Sequence, residues 1–322
     1  VIKYMNLGIS TVYFSRKIIK KLILWEEIKS ELFKLGVDSL ELNADIPIEW
    51  MNKIYQDVKK QEIKVLTLHN FCPAVENIPE GKYGFNVYSL TSPDEVERDL
   101  AVKYTLRTID YANYLEAKAV ILHLGEIFTQ PSGIELYKFV SDFGINSKLY
   151  QEYKNSFITT RNLNKNKYFN FLYKSLDQII TYAEEKKVNL AIETRFFPNE
   201  IPNFEEIKEI IDHYKSKHLY YWHDFGHAEI QNKLGFSHPH FKYFETYSKY
   251  LIGYHIHNLS NLEDHKSPHL GEINFKEMLN YNENRIYILE VHSKENFNSL
   301  KEGVNFIKSI LEKQKNYERI PS

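Results

Sequence analysis

The stretch Asn189–His227, NLAIETRFFPNEIPNFEEIKEIIDHYKSKHLYYWHDFGH, contains one complete strand–helix–strand unit. It opens with a short apolar run, Asn189–Arg195, that carries Glu193 and Arg195 at its end. Pro202-Asn203-Phe204-Glu205-Glu206 then reads as a helix start, with Asn203 as the cap and Glu206 three residues on to return the bond. Apolar spacing predicts an amphipathic helix over Phe204–Ser216. The second apolar run, Leu219–Gly226, also ends in polar chemistry, His223-Asp224, with His227 three residues further. A strand, a crossover helix and a second strand in so short a span force the two strands to lie parallel.

Moving outward from this unit, the same alternation fills the chain. Strands are expected at Met5–Phe14, Val37–Asn43, Lys64–Phe71, Ala117–Gly125, Asn189–Arg195, Leu219–Gly226, Leu251–Leu259 and Arg285–His292. Amphipathic stretches separate them at Arg16–Leu35, Ile48–Gln61, Asp94–Glu116, Phe169–Lys187, Phe204–Ser216, Pro239–Tyr250 and Phe275–Asn280, and Phe297–Gln314 closes the series. Eight such units in 322 residues, about 40 each, predict an α/β fold of the (β/α)8 type: a parallel eight-stranded barrel with outer helices, one domain over residues 1–322. An open doubly wound sheet is the rival, but no Gly-x-Gly-x-x-Gly follows the first strand. Two connections are long, Cys72–Thr91 and Glu126–Tyr168; the second, rich in aromatics, is expected to be a loop that covers the barrel mouth and moves with substrate.

Composition narrows the function. Lys plus Arg number 41 against 43 Asp plus Glu, a net charge of −2, so no basic excess points to nucleic acid or an anionic membrane. Cys72 is the one cysteine, which excludes an internal disulfide and a cysteine-built zinc site. There is no long apolar run and no leader pattern at the N-terminus, so a cytoplasmic protein without membrane contact is expected.

The strand ends carry the chemistry. The third strand ends in His69, the fourth in His123, the fifth in Glu193, the sixth in Asp224, the seventh in His255 and His257, and the eighth in Glu290. A closed barrel converges these ends on one face. Several carboxylates meeting there would repel, and a divalent cation held by carboxylates and neutral imidazoles removes the conflict. Zinc is expected first, with manganese or iron as alternatives, in one to three ions. The segment Glu263-Asp264-His265 adds a loop carboxylate and an imidazole, and Arg195 shares a strand face with Glu193, where it would clamp an anion or hydroxyl. By its alternation with Asp224, His223 should instead face the helices.

These residues resemble the xylose-isomerase-like TIM barrels, a superfamily of sugar-phosphate isomerases and epimerases that also includes endonuclease IV. The resemblance rests on Ala191-Ile192-Glu193-Thr194-Arg195, His223-Asp224-Phe225-Gly226-His227, Gly253-Tyr254-His255-Ile256-His257-Asn258 and Asp264–Phe275. It implies a metal site of Glu193, Asp224, His255 and Glu290, with Glu193 and Glu290 also exchanging protons with the sugar. His227 would touch substrate, and His257 with Arg195 would stand beside it. The endonuclease IV branch uses three zinc ions, and its further ligands match His69, His123, His227, His265 and either Glu263 or Asp264. His255 is preferred to His257 as ligand because His255 and Asn258 satisfy the family spacing His-x-x-Asp/Asn. Asn258-Leu259 and His269-Leu270-Gly271 depart from the family pattern. The expected function is a metal-dependent isomerase or epimerase of a sugar or sugar phosphate. The alternative is a multinuclear zinc phosphodiesterase, the only reading with a nucleic-acid partner; oligomeric state is left open.

Overall fold

The computed structural model describes residues 6–76, 78, 80–82, 84–280 and 282–317; Met5, where the first expected strand begins, lies outside them. Eight parallel strands close into a barrel: β1 (Leu7–Ser10), β2 (Ser39–Leu42), β3 (Lys64–His69), β4 (Ala119–Leu122), β5 (Leu190–Glu193), β6 (Leu219–Asp224), β7 (Leu251–Ile256) and β10 (Ile286–Leu289). Their order is β1-β10-β7-β6-β5-β4-β3-β2, so neighbours in sequence pair in space and the first strand meets the last. Each falls inside an expected run. The remaining two, β8 (Asn258–Ser260) and β9 (Glu263–Lys266), form an antiparallel hairpin above the mouth.

The helices are α1 (Ser15–Ile19), α2 (Trp25–Lys34), α3 (Met51–Lys59), α4 (Glu95–Tyr114), α5 (Gly133–Phe143), α6 (Lys148–Lys186), α7 (Phe204–Tyr214), α8 (Phe225–Lys233), α9 (His240–Tyr247), α10 (Phe275–Met278) and α11 (Phe297–Tyr317). The expected cap of α7 is present: the Glu206 N–H donates to Asn203 Oδ1 and the Asn203 N–H to Glu206 Oε2, both at 2.9 Å. The main core lies between barrel and helices, while Leu66, Ala119, Ile121, Ala191, Trp222, Ile286 and Ile288 form a smaller cluster that plugs the barrel below its mouth. Gly253 makes room for that plug, because a Cβ there would stand 2.2 Å from the Trp222 ring. As expected, His223 points outward, between Tyr221 at 2.6 Å and His240 at 2.9 Å.

The long connection after β4 is corrected by the structure. Residues 133–143 and 148–186 are helical, so the expected loop at 126–168 is mostly α5 and the front half of a 39-residue α6. Ser132 and Glu135 form a capping box that starts α5, and Ser147 caps α6. Arg161, buried on α6, donates two bonds to Glu206 at 2.7 and 2.8 Å and one to the Pro198 carbonyl at 2.8 Å. The excursion is thereby docked on α7. At its near end the Tyr137 hydroxyl donates to the Leu262 carbonyl at 2.5 Å, in the turn of the β8–β9 hairpin.

Candidate metal centre

Strand register decides which side chains meet. Asp224 lies opposite His255 across β6 and β7, Ile288 lies opposite His255 across β7 and β10, and Glu290 follows β10 directly. Glu193, Asp224, His255 and Glu290 are all buried, and their ligand-capable atoms lie within 4.8 Å of one another. His255 Nδ1 is the focus: it stands 2.5 Å from Glu193 Oε1, 3.1 Å from Glu290 Oε2 and 3.6 Å from Asp224 Oδ2. One nitrogen carries at most one proton, so it can donate to only one of three carboxylates. A divalent cation would take all four groups at once. The donor set, nitrogen and oxygen with no sulfur, suits zinc, manganese or iron(II).

The electrostatics describe a cage held together by histidine protons. Burial alone would lower the His255 pKa, but Glu290, Glu41 and Glu193 around it raise it well above the ordinary imidazole range. Burial would raise the Glu193 carboxyl, yet His255 and Arg195 hold it well below the usual carboxylate range. Glu290 is depressed in the same way, against burial, by His255 and His265.

Beyond the cage lie two further groups, one of which shares Glu193 and His255 with it. His227, His257, Asp264 and His265 come within 4.8 Å, and so do His69, Glu193 and His255. Glu193 joins the latter to the cage, its Oε1 on His255 and its Oε2 2.9 Å from His123 Nε2 and 3.9 Å from His69 Nε2. The His69 and His123 rings meet edge to face at 4.5 Å, as adjacent strands allow. In the other group His227 Nδ1 donates to the Thr194 carbonyl at 3.1 Å, which leaves Nε2 facing Asp264 Oδ2 at 3.7 Å. That buried oxygen has no hydrogen-bond partner, the condition expected of an atom meant for a ligand. His265 Nδ1 lies 2.9 Å from Asp264 Oδ1, and this neighbour raises its pKa, against burial, to about 10.

Of the two loop carboxylates, Asp264 turns inward, while Glu263 pairs with Lys294 at 2.8 Å and Lys266 at 3.3 Å. His257 is fully buried. Its Nδ1 accepts the His265 N–H at 3.0 Å, so Nε2 carries the proton and donates to both Asp224 oxygens at 3.0 and 3.1 Å. These bonds fix the orientation of Asp224. Gly226 makes this packing possible, since a Cβ there would lie 2.0 Å from the His257 ring. Arg195 lies in the cavity wall with its guanidinium engaged by Glu193 and by Glu200 at 2.8 Å.

Two residues escaped the sequence reading. Glu41, fully buried on β2, accepts from Thr67 at 2.8 Å and lies 3.1 Å from His255 Nε2. Its signal was a lone carboxylate between Leu40 and Leu42 in an apolar strand. His292 stacks on His265 at 3.6 Å, and burial and the His265 charge push its pKa down to about 3.

The cluster floors a cavity of about 730 Å3. The profile of the xylose isomerase-like TIM barrel family matches residues 30–310. No curated protein matches the sequence. Among solved structures the fold is similar to a D-tagatose 3-epimerase-like protein, at 17% identity over 97% of this chain and 99% of that one, TM-score 0.61. It is also similar to D-psicose 3-epimerase with D-tagatose from Clostridium cellulolyticum H10, at 14% identity, 95% and 99% coverage and TM-score 0.64. The 3-keto-D-glucoside 4-epimerase from E. coli gives 13% identity, 95% and 99% coverage and TM-score 0.64. With the profile covering most of its length and the barrel closed as described, the chain belongs to the xylose isomerase-like TIM barrel family.

Proposed function

We propose that the protein is a divalent-metal-dependent isomerase or epimerase of a sugar, with Glu193, Asp224, His255 and Glu290 as the metal ligands. The observation that carries this reading is the convergence of three buried carboxylates on His255 Nδ1 at the floor of a large cavity. The bound cation would supply Lewis acidity toward a sugar carbonyl and its neighbouring hydroxyl. Glu193 and Glu290 reach the cage from strands on either side of β6 and β7, and in this reading they take a proton from the carbon next to that carbonyl and return it. His227, with Nδ1 fixed by Thr194, presents Nε2 to the cavity as a substrate contact. His257 and Glu41 hold Asp224 and His255 in orientation from behind. The test is proton exchange: metal-replete protein incubated with ketohexoses in D2O should place deuterium on the carbon beside the carbonyl, and a chelator should stop it. Absence of exchange across a panel of free and phosphorylated ketoses would sink the reading.

A second reading is favoured by the two extra groups of ligand-capable side chains, which exceed what a single ion needs. Clustered zinc ions could activate water against a phosphodiester. Three equivalents of zinc together with cleavage of an abasic-site duplex would establish it; one equivalent and no cleavage would remove it.

A further inference from the structure

Resting on the sugar reading and deepening it, we propose that the substrate is an extended, uncharged saccharide. Its ketose head sits at the cage, and a second sugar ring occupies the outer cavity.

Size is the first argument. Counting each CHOH unit as about one water volume, about 30 Å3, a hexose fills about 180 Å3. The cavity, at about 730 Å3, continues well past the cage. Its wall includes four aromatic side chains outside the cage: Phe128 on the connection after β4, Tyr168 on α6, and Phe196 with Phe197 after β5. Phe128 is 58% exposed, although this wall is built rather than loose. Glu126 bridges to Glu200, the Ile127 N–H donates to the Asn199 carbonyl at 2.8 Å, and Asn164 holds the Phe128 carbonyl at 3.0 Å. Phe196 and Phe197 meet edge to face at 4.6 Å, with Tyr137 packed on both. Rigid aromatic faces left toward a cavity bind flat apolar surface, which the C–H face of a pyranose supplies.

Charge is the second argument, and it separates an uncharged ring from a phosphate. Among the described residues the cavity wall holds two permanent cations, and both are engaged: Lys82 by Glu97 at 2.9 Å, Arg195 by Glu193 and Glu200. Glu126 stands in the same wall, with Asn199 donating to its Oε2 at 2.8 Å. A phosphate tail there would meet carboxylates and no spare guanidinium or ammonium. Sugar hydroxyls, as donors, suit Glu126. Arg16, Lys20 and Lys294, all exposed, line a neighbouring groove of about 400 Å3 that shares only Val12 and His292 with the cavity, so none of the three lines the cavity itself.

Three ketoses that differ only at O6 test this: D-fructose, 6-O-α-D-glucosyl-D-fructose and D-fructose 6-phosphate. Apparent Kd values are read on the zinc-loaded protein from the fluorescence of Trp222, whose ring centroid is 5.0 Å from that of His255. The disaccharide should bind about tenfold tighter than fructose, and the phosphate more weakly than fructose. In Phe128→Ala and Tyr168→Ala the ratio of disaccharide to fructose affinity should fall to about one, with melting temperature as the folding control. Tightest binding by the phosphate would overturn the inference in favour of an anion subsite. Equal binding of disaccharide and fructose would overturn it and leave the ketose head intact. Failure of all three to bind would overturn the sugar reading and this inference with it.

Discussion

Two buried carboxylate sites lie on either side of the barrel wall, and they solve the same problem differently. Outside, Glu206 meets one guanidinium: Arg161 donates to both its oxygens, and the Asn203 N–H adds a bond, so donors and acceptors match. Inside, Glu41, Glu193, Asp224 and Glu290 crowd one imidazole, His255, which has two protons to give. Thr67, Arg195 and His257 each serve one of these carboxylates from the side, but three carboxylates still face the same Nδ1. A matched pair is a stitch that holds α6 on α7. An oversubscribed one is a cage with a place for a cation. The difference lies in the count of donors against acceptors, since both sites are equally buried.

The sharpest way to break this contrast is Glu193→Gln, which removes one cage carboxylate. Metal affinity should fall at least a hundredfold and activity should vanish, as followed by mass spectrometry and proton exchange. The metal-free melting temperature should change little, because one buried charge leaves with its desolvation cost. Unchanged metal content would show that Glu193 is no ligand. The converse substitution, Arg161→Ala, should cost up to about 3–5 kcal/mol of unfolding free energy by taking both guanidinium bonds from buried Glu206, which keeps the Asn203 N–H and, as its cation, Lys165 at 3.7 Å, with metal stoichiometry preserved. Loss of metal at constant stability would reverse the roles assigned to the two sites.

Smaller effects sharpen the comparison. Glu41→Gln should weaken metal binding by about 10–100-fold, because the carboxylate that orients the His255 ring becomes an amide. If affinity is unaltered, Glu41 is a structural residue. Last is pH. With no cation bound, His255 holds a proton that metal must displace, so affinity should rise by up to about tenfold per pH unit as pH increases. Stability of the metal-free protein should move the other way. His265, ordinarily at 6.5 and raised to about 10, stabilises the fold fully below 6.5, and this contribution is lost as pH climbs through 10. Chelated and loaded samples compared by thermal melts between these limits should diverge steadily; parallel curves would show that the cage needs no cation.

Much of this was legible in the sequence, and the reasons for the rest are physical. Barrel strands are apolar runs between amphipathic stretches, so all eight could be placed, and their polar ends marked His69, His123, Glu193, Asp224, His255, His257 and Glu290, among which the family resemblance implies four ligands. Helix α8 was hidden because Asp224 is at once the last residue of β6 and the N-cap of α8, accepting from the His227 N–H at 2.7 Å. The apolar pattern ran on to Gly226 with no break between the two elements. Helix α5 does carry a signal, the spacing Ser132 to Glu135, but the aromatic residues of its own span follow no single helical stripe. Glu41 could be seen as an oddity in β2, but its partner His255 is 214 residues away, and only register reveals the contact.

That separation bears on how the protein is made. The cage needs β5, β6, β7 and β10, while the carboxylate behind His255 comes from β2, and the barrel shuts only when Leu7 of β1 pairs with Tyr287 of β10. A chain emerging from the ribosome therefore holds Glu41 for most of synthesis before its imidazole exists, and Glu290 appears later still. Contacts of such long sequence separation form late. Cation capture is then a report on barrel closure, so a nascent chain stalled before β10 should lack the affinity that the released chain acquires.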